Sequence, residues 1–196
     1  MSKIFRENGI PILDADTVAK EVMTLDESVR EQLIDLLGNE AYLSDGSLNR
    51  KFIAEKIFSD SGLKSAVEEI VHPATLLYIE REFAKSNPGE IVGMESAILF
   101  QTGLDEIFDA IILVDAPDEL IVKRQISGGK FSEEDVRRRM AEQGYENAMA
   151  EDAEFVVKND GTLESLETRG KIVLELVKIA AMQELPIEPL RSLEPS

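Results

Sequence analysis

The sequence predicts an α/β protein built on a parallel β-sheet that carries helices on both faces. Three apolar runs of strand length, "IPIL", "EIVGMESAILF" and "AIILVDAP", are separated by stretches with helical patterns. Strands that are apolar along their whole length and alternate with helices are typical of a parallel sheet buried on both sides. A fourth strand is predicted in "AEFVVKNDG" near the end of the chain.

Local signals define the helices and turns of the first half. The predicted elements before the second strand are, in order, a helix at Lys3–Asn8, a strand at Ile10–Leu13, and helices at Thr17–Leu37, Asn49–Phe58, Ser61–Val71 and Ala74–Ser86. Gly9 ends the first helix, Asp26-Glu27 breaks the second, and Asp45-Gly46 supplies a turn with positive φ. Pro73 is expected to close the helix before it, because proline disfavours helical backbone in the preceding residue.

We expect a single domain over residues 1–183, consistent with a chain of 196 residues. Within it, residues 48–88 form a helical region and residues 124–150 a glycine-rooted segment. The last helix is predicted at Leu163–Gln183, and the proline-marked residues 184–196 form a loose tail.

Composition excludes several classes of function. The net charge is −18, with 39 acidic and 21 basic residues, and a duplex nucleic-acid binder needs a basic face instead. The chain has no cysteine and a single histidine, which excludes disulfides, cysteine-ligated zinc and a multi-histidine metal site. No apolar stretch spans a membrane and no signal peptide is recognisable, so we expect a cytoplasmic protein with no membrane partner.

The few basic residues are concentrated in short groups, which suits an anionic ligand. These groups are Arg50-Lys51, Lys123-Arg124, Lys130 and Arg137–Arg139. Arg50 alone, after a tight turn, is also typical of an ordinary surface arginine. His72 is able to hydrogen-bond an anion, although a lone histidine is more often a helix-end or core residue.

Carboxylates follow the predicted strands, where an open parallel sheet binds its ligands. Asp14 and Asp16 follow the first strand, Glu95 the second and Asp115 the third, so we expect them to converge on one edge. Such a carboxylate accepts a proton from an attacking hydroxyl or holds magnesium. Helix capping is the alternative for Asp16, equally open on spacing alone, and is the expected role of Asp14.

The segment "KRQISGGKFSEEDVRRRMAEQ" allows two interpretations. Ser132 and Asp135 start a helix with a capping-box-like pair. Acid-to-base pairs then fall at i,i+4 spacing: Glu133 with Arg137, Glu134 with Arg138, and Asp135 with Arg139. This pattern is typical of a solvated helix laced with ion pairs. The functional alternative is a mobile lid, hinged at Gly128-Gly129, that brings cations to a phosphate.

Taken together, these stretches resemble the dephospho-coenzyme A kinases. The resemblance rests on the segments "GIPILDADTVAKEV", "YLSDGSLNRKFIAEKIFSDSGLK", "IVHP", "AILFQTGLDEIFDAIILVDAP", "RRRMAEQ" and "FVVKNDG", in that order. It implies a three-layer α/β/α P-loop NTPase-like fold, with a coenzyme-binding region at residues 48–88 and a lid at 124–150. It also implies transfer of the γ-phosphoryl group of ATP, with Mg²⁺, to the ribose 3′-hydroxyl of dephospho-coenzyme A.

The resemblance also implies roles for individual residues. Asp16 would be the base at the 3′-hydroxyl, while Arg50 and His72 would line the coenzyme pocket. The lid region would contribute cations to the ATP phosphates, namely Arg124, Lys130 and Arg139. Asn159 and Gly161 would border the adenine. Phosphoryl transfer depends on alignment and charge neutralisation, which such a set supplies.

Departures from the family pattern concern the loop after the second strand, the lid and the residue before the last strand. Ala97 and Gln101 replace a proline and a glutamate, Gly128 replaces a lid arginine, and Glu154 replaces an aspartate.

The largest departure is the lack of G-x-x-x-x-G-K-[ST], the loop that cradles phosphates, anywhere in the 196 residues. In the family order, the strand before this loop lies between the strands at Ile91–Glu95 and Ile111–Asp115. We therefore expect a start assigned too late, with Met1 read from a GTG codon, and a chain inactive as written. If the layout persists, those two strands should stand about 10 Å apart. A non-catalytic coenzyme-binding protein and another P-loop small-molecule kinase are the alternatives.

Overall fold

The computed structural model describes residues 1–129, 131–143 and 151–183, and within these ranges the chain is a mixed α/β protein. In chain order the helices are α1 Ser2–Glu7, α2 Ala15–Leu25, α3 Glu27–Leu37, α4 Arg50–Ser59, α5 Ser61–Phe83, α6 Asp118–Ser127, α7 Glu133–Gln143 and α8 Leu163–Gln183. The strands are β1 Ile12–Asp14, β2 Gly93–Glu95, β3 Ile112–Asp115 and β4 Phe155–Lys158. Single 3₁₀ turns occur at Asn39–Ala41, Phe100–Thr102 and Leu104–Ile107.

The chain divides into two compact units. The helical unit comprises Ile12–Pro88 and Val92–Ser96, and the terminal unit comprises Met1–Pro11, Gly89–Ile91 and the described residues from Ala97 onward. Each unit contains one parallel pair of strands, β1 with β2 in the first and β3 with β4 in the second. The parallel pairing confirms the predicted type of sheet, whereas the expected 10 Å separation of β2 and β3 stays a prediction.

The core of the helical unit is formed by α2, α3, α4 and α5. Leu33 and Ile79 are fully buried in it, and valines from three helices pack around them. The predicted break in the second helix is confirmed, because Asp26 ends α2 and its carboxylate caps α3 by accepting the Val29 N–H at 3.1 Å. The Asp45-Gly46 turn is confirmed as well, with Gly46 at φ 85°.

The expected helix end at Pro73 is wrong, since α5 continues from Ser61 to Phe83. Its buried residues, Val67, Val71, Thr75 and Ile79, are spaced four apart and form one stripe on both sides of the proline. Proline removes one backbone hydrogen bond from a helix. Burial of the continuous stripe against the neighbouring helices outweighs that loss.

The terminal unit is organised around α8 and β4. Phe155 and Val157 of β4 are 3% exposed, and Leu174 of α8 is 1% exposed. The strand β3 is less covered than the sequence suggested, with Val114 39% exposed. The Glu154 carboxylate accepts the Ile111 N–H at 2.6 Å and so fixes the start of β3 from the neighbouring strand.

The short helix α1 is held by α8. Six residues are too few for a stable isolated helix. Ile4 and Phe5 of α1 are buried, and Ile4 approaches Gly170 of α8 so closely that an added Cβ there would lie 2.4 Å from its Cδ1 atom. Gly9, at φ 81°, ends the helix as predicted. Among the described residues no helix is long and apolar enough to cross a membrane.

Candidate active site

The two aspartates after β1 have different roles. Asp14 is the N-cap of α2, and its Oδ1 atom accepts the Thr17 N–H at 2.9 Å. Asp16 lies in the first turn of α2, is exposed, and has no hydrogen-bond or ion-pair partner among the described residues. The capping role expected for Asp14 is confirmed, and capping is excluded for Asp16, which leaves that carboxylate available for chemistry.

The carboxyl ends of β1 and β2 bring two of the predicted acidic residues together. Asp14 and Glu95 are register partners in the parallel pair. At the start of the same pair of strands, Gly93 is the register partner of Ile12. A Cβ atom added to Gly93 would lie 2.6 Å from the Ile12 Cδ1 atom. Gly93 therefore permits the close strand approach that sets this register.

Asp115 lies in the terminal unit and is engaged there. It is the register partner of Lys158 in the pair β3–β4, and its carboxylate forms an ion pair with the Lys158 ammonium group. Asp115 is therefore neutralised by a neighbour. No group of three or more His, Asp or Glu residues within the described ranges is arranged to hold a metal ion.

Arg50 and His72 lie on neighbouring helices of the helical unit, which also carries Asp16. Arg50 is the first residue of α4 and is exposed, and no described residue hydrogen-bonds or pairs with its guanidinium group. His72 is half-buried within α5, immediately before Pro73, and its ring likewise has no partner among the described residues. Both side chains are therefore available to a ligand.

Asn49, which the sequence analysis did not assign, fixes the start of α4. Its side chain accepts the Phe52 N–H at 3.3 Å as the N-cap and donates to the Glu40 carbonyl at 2.9 Å. Asparagine directly before a helix is a capping signal that can be recognised in a sequence. The bond to Glu40 spans nine residues and has no such signal.

Three predicted residues meet in the terminal unit. The Arg124 guanidinium group donates to the Asn159 carbonyl at 2.7 Å and to the Gly161 carbonyl at 3.1 Å. Arg124 lies in the last turn of α6, and the two carbonyls belong to the loop after β4. Arg124 was expected to contact a phosphate of ATP. In this structure it binds the backbone of the loop that was expected to border the adenine.

A second arginine holds the same loop from α8. Arg169 donates to the Lys158 carbonyl and, at 2.7 Å, to the Asp160 carboxylate. These contacts lower the pKa of Asp160, chiefly through the hydrogen bond from Arg169. The sequence analysis missed Arg169, because only the fold shows that the first turns of α8 lie beside the end of β4.

The helix α7 confirms part of the expected charge pattern. Arg137 pairs with Glu133 at 2.9 Å as expected, and it also reaches Glu119 of α6 at 3.1 Å. The expected pairing of Asp135 with Arg139 is confirmed only as an electrostatic attraction, which lowers the pKa of Asp135. The hydrogen bonds that the Asp135 carboxylate accepts come from the Ser132 hydroxyl at 2.7 Å and Arg138 at 2.8 Å.

Those contacts lower the pKa of Asp135, with the Ser132 hydroxyl as the main cause, and the positive charges of Arg138 and Arg139 contribute to the lowering. The Arg139 guanidinium lies 4.4 Å from the centre of the Phe131 ring. The expected pair of Glu134 with Arg138 stays a prediction. Lys130, the remaining predicted lid cation, lies outside the described residues.

Solved structures resemble this fold closely. The crystal structure of TT1252 from Thermus thermophilus matches with a TM-score of 0.74 and 30% identity, over 90% of this chain and 89% of that one. A dephospho-CoA kinase from Campylobacter jejuni matches with a TM-score of 0.69 and 19% identity, over 91% and 90%. The chain therefore has a P-loop NTPase-like α/β fold, the class of many nucleotide-dependent kinases.

The sequence comparisons identify the family within that class. A family model described as dephospho-CoA kinase matches residues 1–165. A dephospho-CoA kinase of Bacteroides fragilis strain YCH46 is 34% identical over 82% of this chain and 78% of that protein, and one of Listeria monocytogenes is 32% identical over 91% and 88%. The chain belongs to the dephospho-CoA kinase family, whose members are phosphotransferases of coenzyme A biosynthesis. The resemblance seen in the sequence is confirmed.

Proposed function

We propose that the chain provides the acceptor half of a dephospho-coenzyme A kinase, in which Asp16 is the general base at the ribose 3′-hydroxyl. One observation carries this proposal. Asp14 is occupied by capping α2, whereas the Asp16 carboxylate two residues on is exposed and has no partner among the described residues. A base must have a free lone pair within reach of the hydroxyl whose proton it accepts.

In the proposed reaction, Asp16 accepts the 3′-hydroxyl proton as the hydroxyl oxygen forms its bond to the γ-phosphorus of ATP. The bond from that phosphorus to the β,γ-bridging oxygen breaks, and ADP leaves. Phosphoryl transfer of this kind depends mainly on alignment and on neutralising charge. Arg50 and His72, both without described partners, are the proposed ligands of the anionic coenzyme.

The proposed lid chemistry divides the cations into two groups. The Arg139 guanidinium lies over the Phe131 ring and is proposed to meet the ATP phosphates, together with Lys130. Arg124 is bonded to two carbonyls of the Asn159–Gly161 loop, so we propose that it fixes the adenine border and reaches a phosphate only by releasing them. Within the described ranges no group of three or more His, Asp or Glu residues is arranged to hold a metal ion, so a magnesium ion would be held mainly by the ATP phosphates.

A non-catalytic coenzyme-binding protein is the second candidate function. It is favoured by the lack of G-x-x-x-x-G-K-[ST] in the 196 residues. That loop supplies the amides and the lysine that hold the β- and γ-phosphates in P-loop kinases. Residues 1–196 are proposed to bind dephospho-coenzyme A but to transfer no phosphoryl group by themselves.

The cytoplasmic location stays a prediction, which cell fractionation would test.

Calorimetry with dephospho-coenzyme A and, separately, with ATP tests the proposal. We expect binding of the coenzyme that Arg50→Ala weakens, and no measurable binding of ATP. Absence of coenzyme binding would overturn the proposal. Transfer is then measured in a chain extended by a relative's first strand and phosphate loop.

In that extended chain, Asp16→Asn should lower turnover by a factor of about 100 or more with little change in KM. Asp14→Asn is the matched control, because asparagine preserves the cap of α2. Equal losses in both variants would refute a specific role for Asp16. Phosphoryl transfer by the unextended chain would show that residues 1–196 suffice for catalysis.

A further inference from the structure

Asn49 forms three hydrogen bonds in the helical unit. Its backbone N–H donates to the Ala41 carbonyl at 2.8 Å, and its side-chain NH₂ donates to the Glu40 carbonyl at 2.9 Å. Its side-chain oxygen accepts the Phe52 N–H at 3.3 Å. A cap requires only the last of these bonds. The other two attach the start of α4 to the 3₁₀ turn Asn39–Ala41.

That 3₁₀ turn is itself attached to α2. Tyr42, the residue after the turn, is 8% exposed, and its hydroxyl donates to the Met23 carbonyl at 2.6 Å. The Arg30 guanidinium lies 4.2 Å from the centre of the Tyr42 ring and donates to the Gly46 carbonyl at 3.0 Å. The turn is therefore fixed to α2, whose first turn contains Asp16, and to α3.

Arg50 is the next residue after Asn49, and its situation is the opposite. Its backbone lies within this network, and its N–H donates to the Leu48 carbonyl at 3.0 Å. Its guanidinium group is exposed and has no partner among the described residues. A side chain that is free while its Cα is fixed loses little backbone freedom when it binds an anion.

We propose that Asn49 is a positioning residue that fixes Arg50 for coenzyme binding, through its bond to the Glu40 carbonyl. This inference rests on the proposed function of Arg50 and adds a residue that the sequence analysis did not assign. The bond is separable from the cap, because serine caps a helix well but cannot reach the Glu40 carbonyl. Aspartate also caps and lacks the NH₂ donor.

The experiment measures dephospho-coenzyme A affinity of the full chain by calorimetry for Asn49→Ser, Arg50→Ala and the double variant. Arg50→Ala should weaken binding about tenfold or more, as expected for the loss of a charge-assisted hydrogen bond. Asn49→Ser should weaken binding about three- to tenfold with a thermal midpoint close to that of the wild type. Because Asn49 acts through Arg50, the double variant should bind no more weakly than Arg50→Ala alone.

Two control variants separate positioning from other effects. Asp26→Ala removes the cap of α3 and should lower the thermal midpoint without changing affinity. Lys56→Ala removes one positive charge from the same helix and should leave affinity unchanged. If Asn49→Ser does not fold, Asn49→Asp takes its place with the same expected result.

The possible failures are distinguishable. Wild-type affinity in Asn49→Ser, or losses that add in the double variant, would overturn the inference and leave the proposed role of Arg50 intact. An unaltered affinity in Arg50→Ala, or no coenzyme binding by the wild type, would overturn the proposed function and this inference with it.

Discussion

The chain holds two short loops in opposite ways. Before α4, the Asn49 side chain ties down the backbone, and the neighbouring Arg50 guanidinium remains free. After β4, the Arg124 guanidinium itself ties down the backbone through the Asn159 and Gly161 carbonyls. Two arginines from basic clusters thus differ in role. The Arg50 guanidinium is available to a ligand because Asn49 fixes the backbone beside it, whereas the Arg124 guanidinium is itself used to fix a loop.

The largest expected effect tests the free arginine. Arg50→Ala should cost about 1.5–3 kcal/mol of dephospho-coenzyme A binding, since hydrogen bonds to charged groups contribute about that much. Its free energy of unfolding should stay near that of the wild type, because no described residue bonds the guanidinium. Calorimetry and urea denaturation measure the two quantities. A large loss of stability would abolish the contrast between the two loops.

The engaged arginine should show the reverse. Arg124→Ala leaves the Asn159 and Gly161 carbonyls without their donor, which should lower the free energy of unfolding by about 1 kcal/mol at this exposed site. Urea denaturation measures the change. Arg124→Lys should restore only part of it, because a lysine ammonium lacks the planar fork that reaches both carbonyls. Full stability in Arg124→Ala would show that the two bonds contribute nothing.

The core of the helical unit can be strengthened at Thr75, a buried residue of α5. Its hydroxyl is buried and has no hydrogen-bond partner among the described residues, and the residue is 7% exposed. Thr75→Val replaces that hydroxyl with a methyl group of similar size and should raise the free energy of unfolding by about 1 kcal/mol. Thermal and urea denaturation measure the gain. A destabilised variant would mean that the hydroxyl has a partner.

The smallest effect concerns pH and the Tyr42 tether. Burial raises the pKa of Tyr42, and the Arg30 guanidinium opposes that rise in part. The native state therefore disfavours tyrosinate. The stability that neutral Tyr42 contributes to the folded state is fully present below pH 10, the ordinary tyrosine pKa, and is lost as pH rises through the raised pKa of the native state. Tyr42→Phe should lower stability by about 0.5–1 kcal/mol at neutral pH.

The same variant should also flatten the decline of stability above pH 10. Denaturation at a series of alkaline pH values, with the wild type in parallel, measures the slope. An identical slope in both proteins would assign the alkaline decline to other groups.

Features with purely local causes were predictable from the sequence. The helix end at Gly9, the break at Asp26 and the Asp45-Gly46 turn each depend on residues within one turn of the chain. The fold class and family followed from the order of strands and motifs. The continuous helix through Pro73 was not predictable, because its cause is the burial of α5 against helices distant in sequence.

The candidate site shows the same division. The cap at Asp14 is a local signal, and it was expected. Arg124 meets the loop after β4 across 35 and 37 residues, so no pattern along the chain predicts that engagement. The hydrogen bonds of the Asp135 carboxylate were not all expected, because the Ser132 hydroxyl and Arg138 bind it directly while Arg139 acts on it only through its charge.

The packing of Ile4 against Gly170 has a consequence for the order of folding during synthesis. The described packing partner of α1 is α8, about 160 residues further along the chain, whereas the helical unit is drawn mostly from the uninterrupted stretch Ile12–Pro88. Chains rich in near-neighbour contacts fold sooner than those that must close long loops. We therefore expect the helical unit to form before α1 packs against α8.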